Sequence, residues 1–102
     1  MVNFENLKLV ALGNPLLDMQ VRDGQDVLQK YGLKPNDAVL ASPEQLSIYE
    51  HLVENYQVTY VAGGAAQNTA RCAQYALPDG STAYLGCVGN DDLAQQLRAA
   101  NE

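Results

Sequence analysis

Between residues 58 and 76 the chain changes character at a pair of glycines. Val58 to Ala62 (VTYVA) is rich in β-branched and aromatic residues and predicts a strand. Gly63-Gly64 follows at once, and Ala66 to Ala76 then predicts a helix stopped by Leu77-Pro78-Asp79-Gly80. Its inward residues would be Ala66, Ala70, Ala73 and Leu77, small enough to bring the helix axis close to a sheet. Few arrangements let a strand run through two glycines into a helix. Glycine lacks a Cβ, tolerates φ > 0 and admits close approach of another group. The helix start aims unpaired N–H groups and a partial positive charge at the same place. A phosphate or the hydroxyls of a sugar would fit there; so would a tight turn with no ligand. No Lys-Ser/Thr follows, so this is not a Walker-type phosphate loop, and the G-x-G-x-x-G spacing of dinucleotide binders is absent.

The rest of the chain alternates in the same way. Leu7 to Leu12 (LKLVAL) is a nearly continuous apolar run ending at Gly13, the pattern of a strand covered on both faces. Asn14-Pro15 enforces a turn, and Leu16 to Val21 resumes in extended form. Asp23 to Tyr31 predicts a short helix ended by Gly32, Lys34-Pro35-Asn36-Asp37 a turn, and Ala38 to Ala41 a short strand. Ser42, Pro43 and Gln45 form the Ser-x-x-Gln signature of a helix start, with Leu46, Tyr49, Val53 and Tyr56 recurring at helical spacing. Thr82 to Val88 predicts another apolar strand, and Asp91 to Ala100 a last helix using Leu93 and Leu97. Strand and helix in alternation argue for an α/β domain with a partly parallel sheet. Two apolar strands need neighbours that the remaining segments do not supply, so the pattern is that of the front part of a larger domain.

Composition narrows the functional classes. With 47% hydrophobic residues a core can form, and 102 residues suit one modest domain. Six basic residues stand against twelve acidic ones, a formal net charge of −6. The basic residues are scattered singly, which disfavours nucleic-acid and anionic-membrane binding. No apolar run is long enough to span a bilayer, and Met1 to Asn6 lacks the pattern of a secretory signal. Cys72 and Cys87, without a CxxC, read as reduced small hydrophobes and build no zinc site with the single His51. His51 itself, near Glu50 and Glu54, reads as part of a solvated face.

Asp18 interrupts the apolar stretch Leu16-Leu17-Asp18-Met19. Either it faces water in a strand alternation, or it is a buried carboxylate needing hydrogen-bond donors, such as the vicinal hydroxyls of a sugar. Asn14 and Asn68 have the same two readings: a turn-former and a first-turn polar residue, or amides that grip a polyol. Asp91 and Asp92 most simply cap a helix.

Taken together, Val10-Ala11-Leu12-Gly13-Asn14-Pro15-Leu16-Leu17-Asp18 and Ala62-Gly63-Gly64-Ala65-Ala66-Gln67-Asn68-Thr69-Ala70 resemble the N-terminal part of adenosine kinases, in the ribokinase-like (PfkB) carbohydrate kinase family. The order and spacing match, as do Lys34-Pro35-Asn36-Asp37 and Gly86-Cys87-Val88-Gly89-Asn90-Asp91, so the resemblance covers essentially the whole chain. It implies an incomplete single domain over residues 1–102: the N-terminal portion of a mainly parallel sheet flanked by helices, with strands of a small β lid near 16–21, 38–41 and 58–62. It also implies that Asp18 holds the ribose 2′- and 3′-hydroxyls, with Gly63, the Gly64 backbone and the Asn68 side chain completing the grip. Asn14 would line the nucleoside pocket, and Leu16 and Leu40 would form apolar walls for adenine.

The activity implied is ATP-dependent phosphorylation of adenosine at the 5′-hydroxyl to give AMP, a purine-salvage reaction using ATP and Mg2+, in a cytoplasmic and nuclear protein that is monomeric at full length. The family's catalytic aspartate lies in a Gly-Ala-Gly-Asp motif absent here, and the ATP site is expected beyond Glu102, so this chain would supply the nucleoside-binding half and be inactive alone. Ala38 and Ala65 stand where relatives often carry polar residues, and Ala94 where many carry glycine. The alternatives are a non-catalytic nucleoside-binding or interaction module, and another sugar kinase of the same superfamily.

Overall fold

The computed structural model describes residues Phe4 to Asn101. Among the described residues four strands and four α-helices form: β1 (Leu9–Leu12), β2 (Leu16–Gln20), α1 (Gln25–Lys30), α2 (Ile48–Asn55), β3 (Thr59–Gly63), α3 (Ala65–Ala76), β4 (Thr82–Leu85) and α4 (Asp92–Ala100). Strands β1 and β4 pair in parallel, with Leu9 opposite Thr82 and Leu12 opposite Leu85, while β2 and β3 form a second two-stranded sheet. Helix α3 lies across both β1 and β4. This is the expected α/β arrangement with a parallel sheet.

Contacts gather the chain into two compact units. One comprises the residues up to Asp18 and those from Tyr60 onward; the other is Met19–Thr59. Each has its own small core: Ala62, Ala70, Ala94 and Leu97 in the first, Val27 and Leu52 in the second. Burial is the main favourable term in folding, so separate clusters make separate units.

In the first unit, β1 is not covered on both faces. Leu9 and Ala11 are half-buried, whereas Val10 and Leu12 are exposed, as is Leu85 on β4. In a strand alternate residues point to opposite faces, and α3 shields one face of the pair. Among the predicted inward residues of α3, Ala70 is buried, while Ala66 and Ala73 are half-buried and Leu77 exposed. Asp91 caps α4 as its position suggests, its Oδ1 accepting from the Ala94 N–H at 2.8 Å. Cys72 and Cys87, read as reduced small hydrophobes, are free thiols, and both are exposed.

In the second unit the Ser42–Gln45 signature is present, the Ser42 N–H donating to Gln45 Oε1 at 2.9 Å. It opens a 3-10 turn, Pro43–Gln45, because the Gln45 N–H bonds to Ser42 O three residues back; the α-helix begins only at Ile48. The registers shift accordingly: Leu46, Tyr49 and Val53 are exposed and Leu52 is buried. No strand forms at Ala38–Ala41. Strands need a ladder partner; here the Ala38 N–H is taken by the neighbouring Asp37 carboxylate, and Val39 and Leu40 stay exposed. His51 is not simply solvated. It is half-buried between the rings of Tyr31 and Tyr56, accepting from Lys30 Nζ at 3.2 Å, and so pins α2 to the end of α1.

Candidate functional site

Residue types at three joints bring the end of β1, the start of β2 and the β3–α3 junction to one place. After β1, the Gly13 N–H donates to Leu85 O at 3.2 Å and the Tyr84 hydroxyl donates to Gly13 O at 2.8 Å, which fixes the chain at the turn through Asn14-Pro15. That turn passes against Gly64. A Cβ placed on Gly64 would stand 2.9 Å from Asn14 O and 3.4 Å from the Leu16 nitrogen, and its φ of 94° already disfavours any side chain. One residue earlier, a Cβ on the buried Gly63 would stand 2.5 Å from Asp18 Oδ2. Both glycines are therefore required by close approach, not only by the turn.

Six of the seven residues singled out from the sequence meet around this turn: Asn14, Leu16 and Asp18 on one side, Gly63 and Gly64 in the middle, and Asn68 one helical turn above, its backbone N–H donating to Gly64 O at 2.9 Å. The seventh, Leu40, belongs to the Met19–Thr59 unit, where it is 98% exposed and borders a hollow shared with Leu28, Leu33 and Gln45. The loop that carries it has no strand to hold its side chain in place.

Asp18 settles one open alternative. It is exposed, in a β2 that alternates exposed and half-buried residues, so it is not a carboxylate stranded in a core. Its carboxylate also lies against the Gly63 backbone. Among the described residues no protein group hydrogen-bonds to it, leaving both oxygens able to accept. Leu16, 55% exposed, offers an apolar surface beside the same turn. The arrangement presents, within a few residues, a double acceptor, an apolar patch, an amide and the N-terminus of a twelve-residue helix.

Residues 26–102 match the model of the pfkB family carbohydrate kinases. The chain belongs to that family. It is 62% identical over 95 residues to the adenosine kinase of Schizophyllum commune, covering 93% of this chain and 28% of that protein. Among solved structures, adenosine kinase from Trypanosoma brucei brucei matches with a TM-score of 0.81 at 34% identity, over 93% of this chain and 30% of that one. Adenosine kinase from Schistosoma mansoni in complex with adenosine and AMP matches with a TM-score of 0.72 at 32% identity, over 89% and 28%. This pfkB chain thus spans under a third of the length of the relatives it matches.

Two residues of this pfkB chain that the sequence reading passed over hold the junction together. Gln67, buried, donates from Nε2 to Gly63 O at 2.6 Å and accepts at Oε1 from Asn101 Nδ2 at 2.8 Å. Arg71 donates from Nη1 to Ala62 O at 2.6 Å and from Nη2 to Asn68 Oδ1 at 2.9 Å. The signal available in sequence was spacing: Gln67 follows Gly63 by one helical turn, and Arg71 follows Asn68 by three residues.

Proposed function

We propose that this chain carries the nucleoside-grasping portion of an adenosine kinase, which in complete form transfers a phosphoryl group from ATP to the 5′-hydroxyl of adenosine. The observation that carries this reading is the packing of Asp18 on Gly63 beside the Gly64 turn. In this reading Asp18 accepts from the two ribose hydroxyls, while the Gly64 backbone and the Asn68 amide take up the remaining hydrogen-bond positions. Asn14 lines the pocket and Leu16 covers a face of adenine. The β2–β3 sheet supplies lid-type strands. The structural relative that holds both adenosine and AMP accords with a nucleoside rather than a free sugar as ligand, and so does an exposed leucine beside the carboxylate.

Fixing the pentose at two hydroxyls leaves the 5′-hydroxyl as the free end. Phosphoryl transfer gains chiefly from holding that oxygen in line and from stabilising charge on the transferred group, so a rigid grip on the ribose is a direct contribution to rate. ATP and Mg2+, which the family implies, do not fit the residues described. No group of three or more His, Cys, Asp or Glu side chains comes together among them, and no lysine follows the glycine pair. The contribution assigned to this chain is binding and orientation.

Calorimetric titration of the chain with adenosine and with ribose tests the reading. Adenosine is expected to bind and ribose to bind far more weakly. Equal affinity for the two would favour another sugar kinase, and no binding of either would overturn the proposal.

A further inference from the structure

We propose that Arg71 is a positioning residue that decides which end of the Asn68 amide meets a bound nucleoside. The inference rests on the nucleoside-binding reading above and deepens it. Arg71 spreads one guanidinium over two acceptors: Nη1 on Ala62 O at 2.6 Å and Nη2 on Asn68 Oδ1 at 2.9 Å. Ala62 is buried to 1% exposure, so the first of these bonds anchors the guanidinium to the rigid end of β3. The second then has only one chemically allowed form.

A guanidinium carries N–H donors and no acceptor. An Asn68 amide flipped by a half-turn would set its NH2 against the Arg71 N–H groups and lose the bond. With Oδ1 held by Arg71, Nδ2 and its two hydrogens are the free branch of the amide. The site therefore faces a pentose with fixed polarity: the Asp18 carboxylate accepts, and the Asn68 NH2 donates. That is the pattern a hydroxyl needs if its hydrogen goes to Asp18 and its lone pair is to be satisfied. Without Arg71 the amide is free to flip, and Oδ1 would then face the lone pair of the same hydroxyl. Lysine cannot replace this fork, because its ammonium is a single point on a flexible stem.

Affinity for adenosine, 2′-deoxyadenosine and 3′-deoxyadenosine, measured by calorimetry on the unaltered chain and on Arg71→Met, Arg71→Lys, Asn68→Ala and the Arg71→Met/Asn68→Ala pair, tests the proposal. Arg71→Met should weaken adenosine by about tenfold, the upper end for loss of one neutral hydrogen bond. It should leave unchanged the analogue that lacks the hydroxyl bonded by Asn68, and add nothing to Asn68→Ala. Arg71→Lys should show the same selective loss while keeping the charge, which keeps the test open if the methionine variant folds poorly. In the ligand-free protein, the Asn68 side-chain NH2 resonances should move in both Arg71 variants. A uniform loss across all three nucleosides, or an equal further loss on top of Asn68→Ala, would assign Arg71 a purely structural role and overturn the proposal alone. No nucleoside binding by the unaltered chain would overturn it together with the reading beneath it.

Discussion

The Asp18 carboxylate and the Gly63 backbone are in such close approach that a methyl group on Gly63 would stand 2.5 Å from Oδ2 and 3.0 Å from Oδ1. Gly63→Ala is therefore expected to displace the carboxylate or the strand, destabilising the protein by about 1–3 kcal/mol, the usual range for overpacking. In an Asp18→Gly background the same substitution should cost much less, because the atoms it strikes are gone. Urea unfolding of the two single variants and the double variant measures that coupling. Additive effects would show that the clash is relieved by something other than Asp18.

Gln67 is expected to be the more costly amide to lose at this junction. It is 3% exposed and satisfies both Gly63 O and Asn101 Nδ2, tying the end of β3 to the C-cap of α4. Gln67→Leu keeps the size and removes both partners, leaving a buried carbonyl unpaired at about 1–3 kcal/mol. Chemical denaturation should show that loss, while the neighbouring exposed Asn68→Ala should change stability by no more than about 0.5 kcal/mol.

Much of this was legible from the residues, for identifiable reasons. The strand–Gly-Gly–helix junction announced itself because glycine and local periodicity act over a few residues, and Asp91 and Ser42 were found by the short-range chemistry of caps. What failed depended on partners distant in sequence or, before α2, on a local turn. Ala38–Ala41 has strand-like composition but nothing to pair with. Leu46, Tyr49 and Val53 have helical spacing, yet the 3-10 turn at Pro43–Gln45 shifts the register and Leu52 is buried instead. His51 looked solvated because Tyr31 and Lys30, twenty residues or more away along the chain, could not be seen to reach it. At the site, the backbone turn and its three flanking polar residues could be read, whereas the Gln67 and Arg71 clamps required knowing where β3 ends.

Glu44 gives the second unit a pH-dependent element. Its own backbone N–H and the Ser42 hydroxyl hold its carboxyl below the ordinary range. A carboxylate whose folded value is depressed contributes stability above the unfolded value, near pH 4.3 for glutamate. That contribution is lost as the pH falls through the lower, folded value. Acid titration followed by NMR should therefore give Glu44 a midpoint below the ordinary glutamate range, and the Gln45 amide should shift with it. In Glu44→Gln that coupled shift should vanish; its persistence would point to another group.

The central claim is that Asp18, the Gly63-Gly64 turn and Asn68 form one grip on a nucleoside's pentose. The most direct test is an amide chemical-shift titration of the chain with adenosine, beside the same titration of Asp18→Ala. The account predicts shifts concentrated at Asp18, Gly63, Gly64 and Asn68 in the unaltered protein. In Asp18→Ala the affinity should fall by about 2–5 kcal/mol, as expected from losing two charge-assisted hydrogen bonds, with little change in the remaining spectrum because Asp18 is exposed. Shifts centred elsewhere, or undiminished binding by Asp18→Ala, would contradict it.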